Sequence, residues 1–262
     1  MIFDTHAHYD DERFDPDREE LLNAMPDDGV GHLVIPGTAM RDQARVLEIA
    51  AAYPFIHAAA GIHPNCPAPG DADALEGFLR EAERHKIVAV GECGLDYYPA
   101  EGYVPPSREA QREAFDAQIC LAERYRLPVI IHDRDAHADC LDILRAHKGL
   151  RAVFHCFTGS AGFAREAAEM GFYISFTGSV TYKKNEGLRE AAAAVPDDLL
   201  LTETDAPYLA PEPLRGKRCD SRMIKHVIAT LAAARGQPAE LVEARTWGNA
   251  LRFFGLPAST GL

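Results

Sequence analysis

Positive charge is scarce in this chain: 27 lysines and arginines stand against 40 aspartates and glutamates, a formal charge of −13 with histidine neutral. That balance excludes a general basic sheath for nucleic acid. No uncharged apolar stretch approaches the roughly 20 residues that a membrane helix needs, so no membrane partner is expected. The start, MIFDTHAHYD, lacks the basic residues and apolar run of a secretory signal. The six cysteines, at 66, 93, 120, 140, 156 and 219, include no CxxC pair and are too sparse for a disulfide scaffold. Reduced thiols in a cytoplasm are the expectation. No low-complexity linker or compositional break divides the chain, which reads as one domain over 1–262, and nothing calls for an obligate protein partner.

What is present is a regular alternation. The 262 residues are 47% hydrophobic, and short β-branched apolar runs alternate with longer amphipathic ones, the signature of repeated βα units on a parallel sheet. Eight such runs begin near Ile2, His32, Phe55, Ile87, Pro128, Arg151, Phe172 and Leu199. Helices are predicted over 16–24, 41–52, 71–85, 107–126, 136–147, 162–170, 186–194 and 221–234, with an extra helix pair from Gln237 onward. Eight units of about 33 residues match an α/β fold of the (β/α)8 TIM-barrel class with extra C-terminal helices. A doubly wound open sheet competes, but no GxGxxG follows the first strand, so its dinucleotide-binding version has no support.

The histidines carry the chemical signal. Of eleven, His6, His8, His63, His132 and His155 fall at the ends of predicted strands. Strand ends of a parallel barrel share the face where active sites are built, so distant residues can converge there. His6 and His8 are two apart, and on an extended strand both project to one side, where they can grip one metal. Glu92 follows VAVG, and Glu203 and Asp205 lie in LLLTETD. A single strand-end histidine is more often a structural hydrogen-bonding residue than a ligand; the coincidence at the ends of strands 1, 4, 5, 6 and 8, with four imidazoles and at least two carboxylates, favours metal. Zinc sites take three or four protein ligands, so six donors imply two ions roughly 3.5 to 4 Å apart. His6, His8 and Asp205 are expected on one ion, His132 and His155 on the other, and Glu92 as the bridge. Two divalent ions would outweigh these two carboxylates and leave a locally cationic site for an anionic substrate such as a phosphodiester.

Motif by motif, the chain resembles the TatD-type metal-dependent hydrolases, usually described as deoxyribonucleases. The matching stretches are DTHAHYD (4–10), GIHP (61–64), GECGLDYY (91–98), IIHDRDA (130–136), FHCFTGS (154–160), ETDAPYLAP (203–211), RGKR (215–218) and a late NALRFFGL. The resemblance implies a TIM barrel, a one- or two-metal site and 3′ to 5′ hydrolysis of DNA phosphodiesters. It also implies His6, His8, Glu92, His132, His155 and Asp205 as the metal ligands. One departure follows RGKR, where Cys219, Asp220 and Ser221 stand in place of the family's usual Asn, acidic residue and Pro. Histidine-rich ligation suits zinc or manganese, whereas the resemblance suggests Mg2+.

Catalytic roles are expected for Asp205, as the group that takes a proton from water readied by a divalent ion, and for Glu203 two residues earlier on the same strand. Arg215, Lys217 and Arg218 are expected to bind substrate phosphate, with His63 and Tyr208 lining the cleft. Lys183 and Lys184 are weaker candidates, and Cys93 and Cys156 read as packing residues. Without a basic groove for duplex, single-stranded DNA ends or oligonucleotides are the expected substrate. Two alternatives stand beside this: hydrolysis of D-aminoacyl-tRNA or a small ester or amide by the same site, and a non-catalytic, metal-stabilised binding protein.

Overall fold

β-branched and small apolar residues dominate the segments that extend, and Ala, Leu, Glu and Arg dominate those that coil, as their intrinsic preferences require. The computed structural model describes residues 1–99 and 102–257. Among them are eight strands: β1 Ile2–Asp4, β2 Val30–Pro36, β3 Ile56–Ala60, β4 Ile87–Asp96, β5 Val129–Arg134, β6 Ala152–Phe154, β7 Tyr173–Phe176 and β8 Leu200–Thr202. The sheet order is β1 to β8 in chain order. Nine α-helices are described: α1 Arg18–Ala24, α2 Gln43–Ala52, α3 Asp71–Leu79, α4 Arg108–Tyr125, α5 His137–Leu144, α6 Ala161–Glu169, α7 Glu186–Ala194, α8 Ile224–Arg235 and α9 Ala239–Phe254. This is the (β/α)8 fold expected from the sequence, with α8 and α9 as the C-terminal helices. Two compact units are distinguished, Met1–Ile35 with Cys156–Leu262, and Pro36–His155.

In the first unit, β1 pairs in parallel with β2, and β7 with β8. Phe3 of β1 packs on Phe254 and Trp247 of α9, with ring centroids 5.4 and 6.0 Å away. The segment from Gln237 forms one continuous helix, not the expected pair. Its single interior glycine, Gly248, costs about 1 kcal/mol, which the buried row Val242, Thr246, Asn249, Ala250 and Phe253 offsets. Asn249 ties this helix to β8: its Nδ2 donates to the carbonyls of Asp197 and Leu200, both at 2.8 Å.

In the Pro36–His155 unit all ten residues of β4 are buried, and β4 pairs in parallel with β3 and β5. Gly94 sits at φ 144° opposite His132, and a Cβ there would meet the His132 carbonyl at 2.0 Å. Only glycine lets the two strands approach so closely. α4 covers them with Phe115, Ile119 and Ala122, and begins at Ser107, whose hydroxyl accepts from the Ala110 amide at 3.2 Å. The helix expected over 71–85 stops at Leu79, and turns continue to Lys86. The amides of Glu81 and Ala82 donate three residues back, to the carbonyls of Phe78 and Leu79, so the chain tightens into turns after α3. Lys86 ends the segment: its Nζ donates to the carbonyls of Ala50 and Tyr53 at 2.8 and 2.7 Å, and its φ is 53°.

Replacing Asn249 with Leu should lower stability by about 2 kcal/mol or more, since two buried carbonyls lose their donors. A fall in the urea midpoint at unchanged slope checks it; an unchanged midpoint would refute the tie.

Candidate metal centre

In the first unit, the chain just past β1 and the chain just past β8 are joined backbone to backbone. The Asp205 amide donates to the His6 carbonyl at 2.9 Å, the His8 amide donates to the Ala206 carbonyl at 2.7 Å, and Ala7 bridges Ala206 in parallel. With extended geometry, His6 and His8 project to one side. Their Nε2 atoms are 3.2 Å apart, and Asp205 Oδ1 lies 3.7 and 3.4 Å from them. Asp205 holds φ at 56°, the left-handed region that a non-glycine residue occupies at a cost. Glu203 is buried between donors: Oε1 accepts from the Cys156 amide at 2.6 Å and Oε2 from the Thr5 hydroxyl at 3.4 Å.

Beneath the triad lies a network that sequence reasoning missed. Asp4 accepts from the Thr204 amide and hydroxyl at 2.9 and 2.6 Å, the Ser221 hydroxyl at 2.6 Å and the His6 amide at 3.3 Å. Tyr9 closes the network through Ser221. One carboxylate thus holds the residues next to both His6 and Asp205. Burial pushes the Asp4 carboxyl up to about 7, against the hydrogen bonds from Ser221 and Thr204 that lower it.

In the Pro36–His155 unit a second set converges. Glu92 Oε1 lies 2.7 Å from His132 Nδ1 and 2.8 Å from His155 Nε2. His132 Nε2 faces Asp96 Oδ2 at 3.3 Å, and His63 Nε2 is 3.6 Å from Glu92 Oε1. Two three-donor groups result, Glu92 with His132 and His155, and His63 with Asp96 and His132. Burial and the neighbouring His132 lower His63 to about 3, so its imidazole is neutral and offers a lone pair. Burial pulls His132 down, but its hydrogen bonds to Asp96 and Glu92 more than offset this and leave it raised.

Asp96, which the sequence reading did not single out, joins this cluster, and its place was legible. Glu92, Gly94 and Asp96 alternate along one extended strand and so share a face. Less legible are two buried glutamines of α4. Gln111 accepts from the Asp96 amide and donates to its carbonyl, at 2.8 and 3.0 Å. Gln118 does the same for Ile62, next to His63, at 2.7 and 3.0 Å. Each side chain substitutes for a missing strand neighbour.

The expected substrate contacts divide. Tyr208 lies edge-on to His8, ring centroids 6.2 Å apart, with the Arg13 guanidinium 4.2 Å over its ring. Arg215 stacks over Tyr182 at 4.4 Å, and Lys217, Lys183 and Lys184 are exposed. Arg218 is engaged differently. Its two terminal nitrogens grip Asp17 at 2.7 and 2.6 Å, and one also donates to the Arg13 carbonyl, so its guanidinium anchors the loop in this structure. Cys93 is buried in apolar surroundings that push its thiol up, consistent with packing.

The chain matches the family described as TatD related DNase over residues 3–255. It is 38% identical to the metal-dependent hydrolase YabD of Bacillus subtilis, across 97% of this chain and 99% of that protein. The chain belongs to the TatD family. It is 34% identical to the 3′-5′ ssDNA/RNA exonuclease TatD of Citrobacter rodentium, covering 97% and 98% of the two chains. The structure of YjjV, a TatD homolog from Escherichia coli, superposes with a TM-score of 0.89 at 33% identity, covering 98% of each chain. The protein is therefore an enzyme, a metal-dependent hydrolase. The TatD-family triads fit divalent ions by donor chemistry: imidazole nitrogens and carboxylate oxygens within 4.8 Å of one another in each group.

Asp4 supplies a pH test. Its ordinary value of 3.8 is raised in the fold, so between about pH 4 and 7 the folded chain keeps a proton that the unfolded chain has released. The stability it contributes is complete at acid pH and lost as pH rises through 7. In metal-free protein, wild-type stability minus that of Asp4→Asn should decrease from about pH 4.5 to about pH 8 in urea titrations; an increase would contradict the assignment.

Proposed function

We propose that this TatD-family hydrolase cleaves phosphodiesters stepwise from the 3′ ends of single-stranded DNA or short oligonucleotides. The observation that carries the reading is the convergence of His6, His8 and Asp205, three metal-type donors with one carboxylate among them. The Citrobacter relative named as a 3′-5′ ssDNA/RNA exonuclease supports the substrate class. The acidic chain, at −13, offers no broad basic surface to grip a duplex. Six free thiols agree with a reducing cytoplasm as its place of work.

His6, His8 and Asp205 would hold one divalent ion, and Glu92, His132 and His155 another, with His63 and Asp96 within reach of the second group. Zinc or manganese suits these imidazole-rich sets better than magnesium. When bound, such ions lower the pKa of water and offset charge on phosphoryl oxygens. The chain's own residues do the rest. Asp205 accepts a proton from the attacking water and returns it to the departing 3′ oxygen, the general acid–base role worth about a hundred- to ten-thousand-fold. Its backbone bond to the His6 carbonyl keeps that carboxylate beside the imidazoles. Glu203, fixed by the Cys156 amide, positions the chain that leads into Asp205. Arg215 and Lys217 bind backbone phosphate, and Tyr208 and His63 contact the terminal nucleotide. Arg218 supports this by fastening the 215–218 loop to Asp17.

The metal-loaded enzyme should release 5′-mononucleotides from single-stranded DNA with free 3′ ends, and Asp205→Asn should reduce the rate about a thousand-fold. Supercoiled duplex circles should be cut more slowly than those oligonucleotides. Hydrolysis of D-aminoacyl esters with no nucleotide release would replace the nuclease reading with the ester-hydrolase one.

A further inference from the structure

The Pro36–His155 unit carries another group of metal-type donors that shares no residue with either triad. Asp116, Cys120 and Glu123 lie on α4 at spacings of four and three, hence on one helix face. His147 comes from the segment that joins α5 to β6. Its Nε2 is 3.0 Å from Asp116 Oδ1, and its Nδ1 is 3.2 Å from Glu123 Oε1. The donor atoms of Asp116, Cys120 and His147 all lie within 4.8 Å of one another. His147 is largely buried, at 10% side-chain exposure, while Asp116 is 56% exposed. The nearby cation Arg124 is drawn away by Glu76, at 2.9 Å.

An ordinary surface ion pair needs one acid and one base. Here a single imidazole is clasped by carboxylates at both ring nitrogens, with a thiol within 4.8 Å in the same group. The Glu123 contact has the form of an outer-shell carboxylate. It fixes the Nδ1 proton and turns Nε2 toward the ligand position. Sulfur, imidazole and a single carboxylate form a borderline-soft set that suits zinc-class ions and disfavours magnesium or calcium.

We propose that Asp116, Cys120 and His147 form a thiolate-containing site for a zinc-class divalent cation, with Glu123 orienting the histidine. Three protein ligands leave the fourth tetrahedral position to water. Because the ligands come from α4 and from the segment after α5, the ion staples the two together. α4 is the helix whose Gln111 and Gln118 hold Asp96 and Ile62, so the staple steadies the support of the second triad.

Cobalt(II) is the probe, added to the metal-stripped full-length chain. Neither triad contains sulfur, so a near-ultraviolet thiolate-to-cobalt charge-transfer band reports this site alone. The wild type should show that band. Cys120→Ser should abolish it and bind one cobalt fewer per chain, while keeping the visible bands of the nitrogen- and oxygen-ligated ions. His147→Gln should behave like Cys120→Ser, and Cys156→Ser like the wild type. Cys120 is exposed, so its replacement leaves the core intact. A wild-type protein without the band, or a band that survives in Cys120→Ser, would overturn the site.

Discussion

The first triad depends on a backbone constraint before it depends on any side chain. The stretch after β1 and the stretch after β8 exchange hydrogen bonds directly, Asp205 amide to His6 carbonyl and His8 amide to Ala206 carbonyl. Once those strands are in register, the alternation of extended chain points His6 and His8 the same way and delivers Asp205 to both. Asp4 then secures the arrangement from below by accepting from both partners of that pairing. The left-handed backbone at Asp205 is the local cost, held in place by these contacts.

The second group is built by a different device. Glu92, Gly94 and Asp96 run along one strand, and glycine at 94 lets the His132 backbone come close. The end of β4 at Asp96 and the chain at Ile62 are held by α4 through paired amide contacts from Gln111 and Gln118, which resemble strand pairing made by side chains. In both places a buried polar side chain hydrogen-bonded to backbone groups fixes geometry, since leaving those partners unpaired would be costly.

Much of this was legible in the sequence, for identifiable reasons. Strand starts and the clustered histidines show through because burial enforces apolar periodicity and because histidines at strand ends stand out against it. Helix ends were less legible. The α3 region reads helical to residue 85 by local preference, but after Leu79 the backbone bonds shift to three-residue spacing and the chain runs on as turns to Lys86. The Gln237 segment reads as two helices, PAELVEA and then WGNALRFFGL, yet packing of α9 on β1 and β8 carries one helix through. Asp4, Gln111 and Gln118 were invisible because their roles lie in tertiary hydrogen bonds that no spacing encodes. Arg218 reads as a phosphate ligand by composition; the fold adds its ion pair with Asp17, which no spacing encodes.

Both triads are expected to bind divalent ions. X-ray diffraction from crystals of the zinc-loaded protein, with anomalous differences recorded across the zinc edge, tests this directly. One anomalous peak is expected within coordination distance of His6, His8 and Asp205, and one of Glu92, His132 and His155, about 2.0 to 2.2 Å from the donor atoms. Zinc-saturated crystals with no anomalous peak at either group would contradict it.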